Sequence, residues 1–121
     1  MQLSVLSNSS IPAYRQLYDQ IAAQILSGSI APGTALPPIR SVAKELGISV
    51  ITVRGAWDAL LADGLIETRA GSGCYASFLS SGQIEAIKKH AISGPLKELA
   101  DSAKSLGYTF EETIEMLEKE F

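Results

Sequence analysis

The sequence predicts a mainly α-helical fold with one small β-hairpin, in which an N-terminal domain is followed by a helical tail. Apolar residues recur at helical spacing in two neighbouring stretches, each of which presents one apolar stripe. Two short strand-like runs, residues 65–68 and 74–77, flank a glycine-rich segment, which is typical of a hairpin. The stripes consist of Ile39, Val42, Ala43 and Leu46 in the first stretch, and of Val53, Ala56, Trp57, Leu60 and Leu61 in the second.

The chain begins with a polar, serine-rich segment, residues 1–10, which we expect to be a loose arm. Ser10 is positioned to cap a helix that has Pro12 in its first turn. The helical period continues to Leu26, and Gly28 ends it. We expect this helix to pack across the next two helices and to complete a three-helix core, with its aromatic residues as core or dimer contacts.

Residues 31–34, Ala-Pro-Gly-Thr, indicate a turn, and the following Ala35-Leu36 is long enough to add one short strand to the hairpin. Pro37-Pro38 then preorganises the start of the second helix at the cost of backbone donors. This helix ends at Gly47, and Ser49 can cap the next helix, which Gly64 stops. Two helices joined by Gly-Ile-Ser predict a helix-turn-helix, and the hairpin that follows makes it winged.

At 100° per residue, the outward face of the second helix of this motif carries Ile51, Arg54, Gly55 and Asp58, with Val50 and Thr52 beside it. Residues in the first turns of such a helix reach base edges in the major groove. An arginine there can pair bidentately with guanine, Thr52 can donate to phosphate, and Ile51 suits a thymine methyl group. The tip of the hairpin, residues 69–73, lacks the strand-to-helix context of a nucleotide-binding loop.

Several spaced blocks between residues 14 and 77 resemble the GntR family of bacterial transcription regulators. The blocks are Leu36-Pro37-Pro38-Ile39-Arg40-Ser41-Val42-Ala43, Leu46-Gly47-Ile48-Ser49, Thr52-Val53-Arg54, Gly64-Leu65-Ile66 and Gly71-Ser72-Gly73. The resemblance implies a winged helix-turn-helix that binds double-stranded DNA. It implies that Arg40 and Lys44 contact phosphates, and that the wing tip enters the minor groove with Arg69 near phosphate. The DNA-binding residues that we predict are Arg40, Lys44, Ser49, Val50, Ile51, Thr52, Arg54, Gly55, Arg69, Gly71 and Ser72.

Two positions depart from the pattern of the family. Relatives often carry arginine where this chain has Val50, which cannot donate a hydrogen bond, so one DNA contact is lost. A basic residue is common where this chain has Gly55, which costs about 1 kcal/mol of helix stability relative to alanine. The glycine either permits a close approach of the helix to the DNA backbone or has no functional role.

The tail, residues 80–121, predicts three short amphipathic helices, with a first cap at Ser80-Ser81 and an interruption at Ser93-Gly94-Pro95. Thr109 to Glu112 forms a capping box that opens the last helix. Such short helices are marginal alone and need a partner surface, for which a second copy of the chain is the economical choice. The tail resembles the short helical dimerisation region of the YtrA-like branch of the family, and we expect no large effector-binding or aminotransferase domain.

The predicted organisation is therefore a winged helix-turn-helix domain, residues 1–79, and a C-terminal helical dimerisation region, residues 80–121. The net charge of −3 lies in the tail, because residues 1–79 carry five basic and five acidic side chains. A neutral DNA-reading domain binds random DNA weakly, and a homodimer would double its cations. We expect that a small-molecule effector of unidentified chemistry could lodge between tail and winged domain.

Few residues offer catalytic or metal-binding chemistry. Cys74 and His90 are the only cysteine and histidine, and they show no metal-ligand spacing, so we expect no enzyme activity, cofactor or metal site. The single cysteine and the absence of an apolar run of about 20 residues predict a cytoplasmic protein that does not enter a membrane. We expect a sequence-specific regulator, a repressor that binds an inverted-repeat operator as a homodimer. The alternative is a winged-helix module that binds protein. The zero net charge of residues 1–79 and the presence of Val50 favour this alternative.

Overall fold

The computed structural model describes residues 1–121 and contains five helices and one two-stranded antiparallel sheet. These elements confirm the predicted fold class, a mainly α-helical winged helix with one hairpin. The chain divides into two compact units, residues 1–84 and 85–121, whereas the sequence predicted a boundary after residue 79. In chain order the elements are α1 (Ala13–Ser27), α2 (Ile39–Leu46), α3 (Val50–Ala62), β1 (Ile66–Arg69), β2 (Gly73–Ala76), α4 (Ser81–Ser105) and α5 (Phe110–Glu118).

The core of the first unit lies where α1 and α2 pack against α3, and where α3 meets β1. Its residues are the apolar positions of the predicted stripes, and no polar side chain is buried among them. Burial of such side chains is the main favourable contribution to folding. The buried residues are Leu17, Ile21, Ala22 and Ile25 of α1, Ile30 and Leu36 between α1 and α2, Val42 and Ala43 of α2, Val53, Ala56, Trp57 and Leu60 of α3, and Leu65, Ile66 and Ala76 of the hairpin region.

The helix ends follow the predicted glycine and serine signals with one exception. Gly28 and Gly47 close α1 and α2 with φ of 85° and 67°, a region in which residues with a Cβ are strained. Helix α1, however, begins at Ala13 after Pro12, and no side chain caps it, so the predicted cap by Ser10 is wrong. The Pro12 carbonyl instead accepts from the Arg15 and Gln16 N–H groups, both at 3.1 Å.

The expectation of a loose N-terminal arm is also wrong. Three glutamines at intervals of four along α1 hold residues 2–6 against the helix. Gln20 accepts from the Ser4 N–H at 3.0 Å and donates to the Ser4 carbonyl at 2.7 Å. Gln16 does the same with Leu6, at 2.8 and 3.0 Å. Gln24 donates to the Gln2 carbonyl at 3.4 Å. The serine-rich composition of the arm gave no indication of these hydrogen bonds, because the glutamines that form them lie in α1.

The hairpin has a shorter tip than the sequence predicted. The β1–β2 pairing joins Arg69 to Gly73 and Glu67 to Tyr75, so only residues 70–72 form the loop. The expected third strand is a single bridge between Ala35 and Tyr75, flanked by hydrogen bonds from the Leu36 N–H to the Cys74 carbonyl and from the Gly33 N–H to the Ala76 carbonyl. These bonds tie the segment before α2 to the wing.

The tail contains two helices where three were predicted. Helix α4 runs from Ser81 to Ser105 and includes Pro95, so the predicted interruption is wrong. Helix α4 therefore continues through Pro95 without the backbone hydrogen bond that the proline nitrogen cannot donate. The last helix begins with the predicted capping box, in which Thr109 and Glu112 exchange backbone-to-side-chain hydrogen bonds of 2.8 and 3.1 Å. No helix combines the length and the apolar character needed to cross a bilayer.

One polar contact joins α1 to the C-terminal end of α3. The Tyr18 hydroxyl donates to the carboxylate of Asp63, the residue that caps α3. Burial of the phenol, followed by this hydrogen bond and the negative charge of Asp63, raises the pKa of Tyr18 to about 12. The folded state therefore favours the neutral phenol more strongly than the unfolded chain does.

The Tyr18→Phe variant is expected to lose about 1 kcal/mol of stability at neutral pH. The stabilisation by Tyr18 is complete below pH 10.0, the ordinary pKa, and is lost as the pH rises to about 12. Urea unfolding of both proteins at a series of pH values measures this. The difference in the free energy of unfolding should be constant up to pH 10 and then shrink, and a constant difference to pH 12 would contradict the assignment.

Candidate nucleic-acid interface

Helix α3 has one face in the core and one face in solvent. Its N-terminus is fixed by Ser49, whose Oγ accepts from the Thr52 N–H at 3.1 Å. Val53, Ala56, Trp57 and Leu60 are buried, which leaves Ile51 82% exposed and Arg54 and Asp58 exposed. This face of α3 presents one large apolar side chain and one arginine to solvent. The outward face therefore begins at Ile51, as the sequence predicted.

Ser49 and Thr52 also contact each other through their hydroxyl groups, at 2.8 Å. Because Ser49 is the N-cap of α3, its Oγ is already the acceptor of a backbone N–H group of that helix. Thr52 is half-buried, and Val50 beside it is half-buried too. The structure thus places these three predicted contact residues together at the N-terminal end of α3, with part of their polar capacity used locally.

Helix α2 contributes the two predicted phosphate contacts. Arg40 and Lys44 are exposed and lie one helical turn apart, and neither forms an ion pair with a carboxylate. Arg54 on α3 is unpaired as well, although Asp58 lies one turn away on the same helix. These three cations have no carboxylate partner within the protein, so an outside anion can bind them. Arg15 on α1, by contrast, is paired with Asp19 at 3.0 Å.

Gly55 lies elsewhere than the sequence suggested. The position is half-buried, and a Cβ added there would lie 3.7 Å from the Cβ and 3.9 Å from the Cγ of Tyr14 in α1. Gly55 therefore faces α1 and not the outward side of α3. A distance of this size is an ordinary van der Waals contact, so the helix crossing has room for a methyl group.

The Gly55→Ala variant is expected to be more stable by about 0.5–1 kcal/mol, because alanine has the higher helix propensity and meets no clash. Chemical denaturation measures the change. Gly47→Ala is the matched control: Gly47 has a φ of 67°, so the same added methyl group should destabilise the protein there. A loss of stability in Gly55→Ala would show that the glycine is required where α3 meets α1.

The wing carries the remaining predicted residues at its tip. The Ser72 N–H donates to the Arg69 carbonyl at 3.0 Å and closes the turn, in which Gly71 has a φ of 71°. A positive φ at the third position of a turn favours glycine. Arg69 lies beside Glu67, with 3.6 Å between the guanidinium and the carboxylate, and its guanidinium carbon is 4.1 Å from the centre of the Tyr75 ring.

Sequence reasoning missed Tyr75. The register of the hairpin could have indicated it, since pairing of Arg69 with Gly73 places Tyr75 on the same face as Arg69. The interface as a whole has two parts: the unpaired cations and exposed apolar residue of α2 and α3, and the wing tip. No group of three or more histidine, cysteine or acidic side chains is arranged to hold a metal ion.

Comparison with known proteins identifies the family. Residues 13–76 match the bacterial regulatory proteins of the gntR family. The probable rhizopine catabolism regulatory protein MocR of Rhizobium meliloti is 44% identical over 72 residues, which are 60% of this chain and 15% of MocR. The transcriptional repressor NagR of Bacillus subtilis is 34% identical over 107 residues, which are 88% of this chain and 41% of NagR. The chain spans less than half the length of these two curated relatives, one of which is named as a regulatory protein and the other as a repressor.

Solved structures agree with this match. YtrA from Sulfolobus acidocaldarius, a GntR-family transcription factor, superposes with a TM-score of 0.60 and 28% identity, over 75% of this chain and 97% of that chain. The DNA-binding domain of AraR in complex with operator ORX1 gives 0.56 and 27%, over 64% and 99%. The family match covers more than half of the sequence, in the region that folds as the three-helix domain with its wing. The chain belongs to the GntR family of bacterial regulatory proteins.

Proposed function

We propose that the protein is a sequence-specific DNA-binding repressor that acts as a homodimer in the cytoplasm. The observation that carries this is the set of unpaired, exposed cations on α2 and α3, Arg40, Lys44 and Arg54, around the exposed Ile51. In a helix-turn-helix this surface meets DNA, with the first helix on the backbone and the second in the major groove. Repression is inferred from relatives such as NagR, which is named as a repressor.

Arg54 is the residue that we assign to base recognition. Its guanidinium has five donors in a fixed fork, and bidentate pairing with the O6 and N7 atoms of guanine is the commonest specific contact of arginine. Ile51 has no donor, and its exposed methyl groups fit a thymine methyl. Arg40 and Lys44 are assigned to phosphates, which fix the position of the protein on the duplex without reading sequence.

Gly55 is not part of this surface in our proposal, because it faces Tyr14. Ser49, Val50 and Thr52 stay with the surface as the residues that set the start of α3 against the groove. Gly71 and Ser72 of the wing are assigned to the adjacent minor groove, where a tip without bulky side chains fits a narrow space, and Arg69 is assigned to a phosphate beside it.

The homodimer is inferred from the tail. Ala103 is the single buried residue of the second unit, so this unit has almost no core of its own. Its apolar side chains instead line an open groove of about 220 Å³ between α4 and α5, in which Lys104 is the only charged residue. The groove residues include Leu96, Leu99, Ala100, Tyr108, Phe110, Ile114 and Leu117. We propose that the same face of a second chain covers this groove.

A dimer also compensates for the small number of basic side chains in the winged domain. Residues 1–79 contain only five basic side chains, balanced by five acidic ones, and two domains on one duplex double the number of phosphate contacts. Two-fold symmetry requires an inverted repeat, with half-sites one helical turn apart, or about 10 base pairs.

Selection of bound fragments from a random duplex pool, performed at two salt concentrations, tests the proposal. We expect an inverted repeat to be enriched at both concentrations and the affinity to fall steeply with salt. Sedimentation of the complex should give two chains per duplex. Enrichment of no sequence would refute the repressor function, and capture of a protein ligand without salt dependence would favour a protein-binding winged helix instead.

A further inference from the structure

One face of the hairpin gathers three side chains whose contacts the family assignment does not explain. The antiparallel register places Glu67 opposite Tyr75 and Arg69 opposite Gly73. Side chains alternate between the two faces of a strand, so Glu67, Arg69 and Tyr75 share one face, while Thr68 and Cys74 lie on the other. The residue opposite Arg69 is Gly73, which has no side chain. The Arg69 guanidinium can therefore cross to β2 and lie over the ring of Tyr75, two residues beyond Gly73.

Tyr75 contacts both predicted functional elements of the wing at once. Its ring lies 4.1 Å from the guanidinium carbon of Arg69, which is a cation–π contact. Its hydroxyl contacts the hydroxyl of Ser72 and donates to the Ser72 carbonyl at 3.3 Å. With its one proton directed to that carbonyl, the phenol oxygen accepts from the Ser72 hydroxyl.

The competing contact of Arg69 is weaker. The Arg69–Glu67 ion pair is 3.6 Å long, and both side chains are about half exposed, at 47% and 49%. Exposed ion pairs of this kind contribute little to stability. The aromatic ring therefore supplies the contact that orients the guanidinium, and it does so without neutralising its charge.

We propose that Tyr75 is a positioning residue for DNA binding, which holds Arg69 and the turn at Ser72 in the conformation that enters the DNA. This proposal rests on the proposed function. A long arginine side chain that is already held in place loses less conformational freedom on binding, and preorganisation of this kind increases affinity without a new contact. Tyr75 itself touches no DNA; it acts through Arg69 and Ser72.

The test is a double-mutant cycle on the duplex enriched by the selection described above. The variants are Tyr75→Val, which removes the ring and keeps a strand-favouring residue, Arg69→Ala, and the two combined. We expect Tyr75→Val to weaken binding about three- to fivefold in the presence of Arg69, and by a clearly smaller factor, that of the Ser72 contacts alone, when residue 69 is alanine. Tyr75→Phe keeps the ring and should retain most of the effect of Arg69. Thr68→Val, on the other face of β1, is the matched control and should bind as the wild type does.

A measurement without DNA examines the positioning directly. In the free protein the ring current of Tyr75 should shift the Arg69 side-chain proton resonances upfield, in the wild type and in Tyr75→Phe but not in Tyr75→Val. Absence of that shift in the wild type overturns the proposal, as does an equal loss of affinity from Tyr75→Val with either residue at position 69. A wild-type protein that binds no DNA overturns the proposed function, whereas a wild type and a Tyr75→Val variant that bind equally well overturn only the role of Tyr75.

Discussion

Replacement of Arg54 by alanine is expected to weaken binding to the selected inverted repeat by about 5- to 150-fold, or about 1–3 kcal/mol per contact. The side chain is exposed and unpaired on the outward face of α3, so the variant loses no contact within the protein. Preference among base pairs at the contacted position should relax at the same time, because the lost contact is the one that distinguishes guanine. Titration of the selected duplex and of single-base variants measures both effects.

Two controls separate base recognition from charge. Arg15→Ala removes an exposed arginine that is paired with Asp19 on α1, and it should leave the affinity nearly unchanged. Lys44→Ala removes a proposed phosphate contact from each protomer, and it should weaken binding to all sequences equally while the slope of log K against log salt falls in magnitude by about 0.9 for each of the two contacts. A folded Arg54→Ala protein with wild-type affinity and preference would refute the proposed role of Arg54.

Phe110→Glu is expected to dissociate the homodimer at micromolar concentration and to abolish binding to the full inverted repeat. Phe110 lines the groove between α4 and α5 but is 74% exposed, so the single chain loses little packing when it is replaced. It is also the first residue of α5, where a carboxylate interacts favourably with the helix dipole. In a two-fold apolar interface, by contrast, the substitution places one carboxylate on each side. Both carboxylates must be desolvated when the dimer forms.

Sedimentation equilibrium and DNA titration measure the two consequences of Phe110→Glu. Lys119→Gln, just after the same helix, changes the net charge by the same amount away from the groove, and it should remain dimeric. Circular dichroism verifies that α5 persists in both variants. A Phe110→Glu protein that still sediments as a dimer would place the interface on another surface, and a monomeric variant with undiminished affinity would contradict the need for two copies.

The sequence predicted the winged fold because its signals are local. Apolar spacing, Gly28, Gly47 and the Ser49 cap each determine a short segment, and the structure has the corresponding helices and hairpin there. The exposed side of α3 followed from the same periodicity, since the side that is not buried must face solvent.

Two failures of sequence reasoning involve contacts between separate elements, and a third involves a proline inside a helix. Gly55 seemed to face outward on a helical wheel, but α1 crosses α3 at that position and Tyr14 covers it. Tyr75 was missed because its contact with Arg69 depends on the pairing of β1 with β2, which the apolar spacing of each strand alone does not reveal. Pro95 was a reasonable place to start a helix, but the structure has it inside α4, although an interior proline costs about 3 kcal/mol through the lost hydrogen bond and the clash of its ring.

The glutamines that hold the N-terminal arm give α1 a second use. A glutamine side chain ends in an amide, so it offers the same donor and acceptor as a peptide unit of the main chain. The amides of Gln16 and Gln20 thus each pair with one residue of the arm through a donor and an acceptor, as the backbone of a neighbouring β-strand would. Glutamate could only accept and lysine could only donate, so neither can replace these amides, and an exposed helix with glutamines four residues apart can bind an extended peptide.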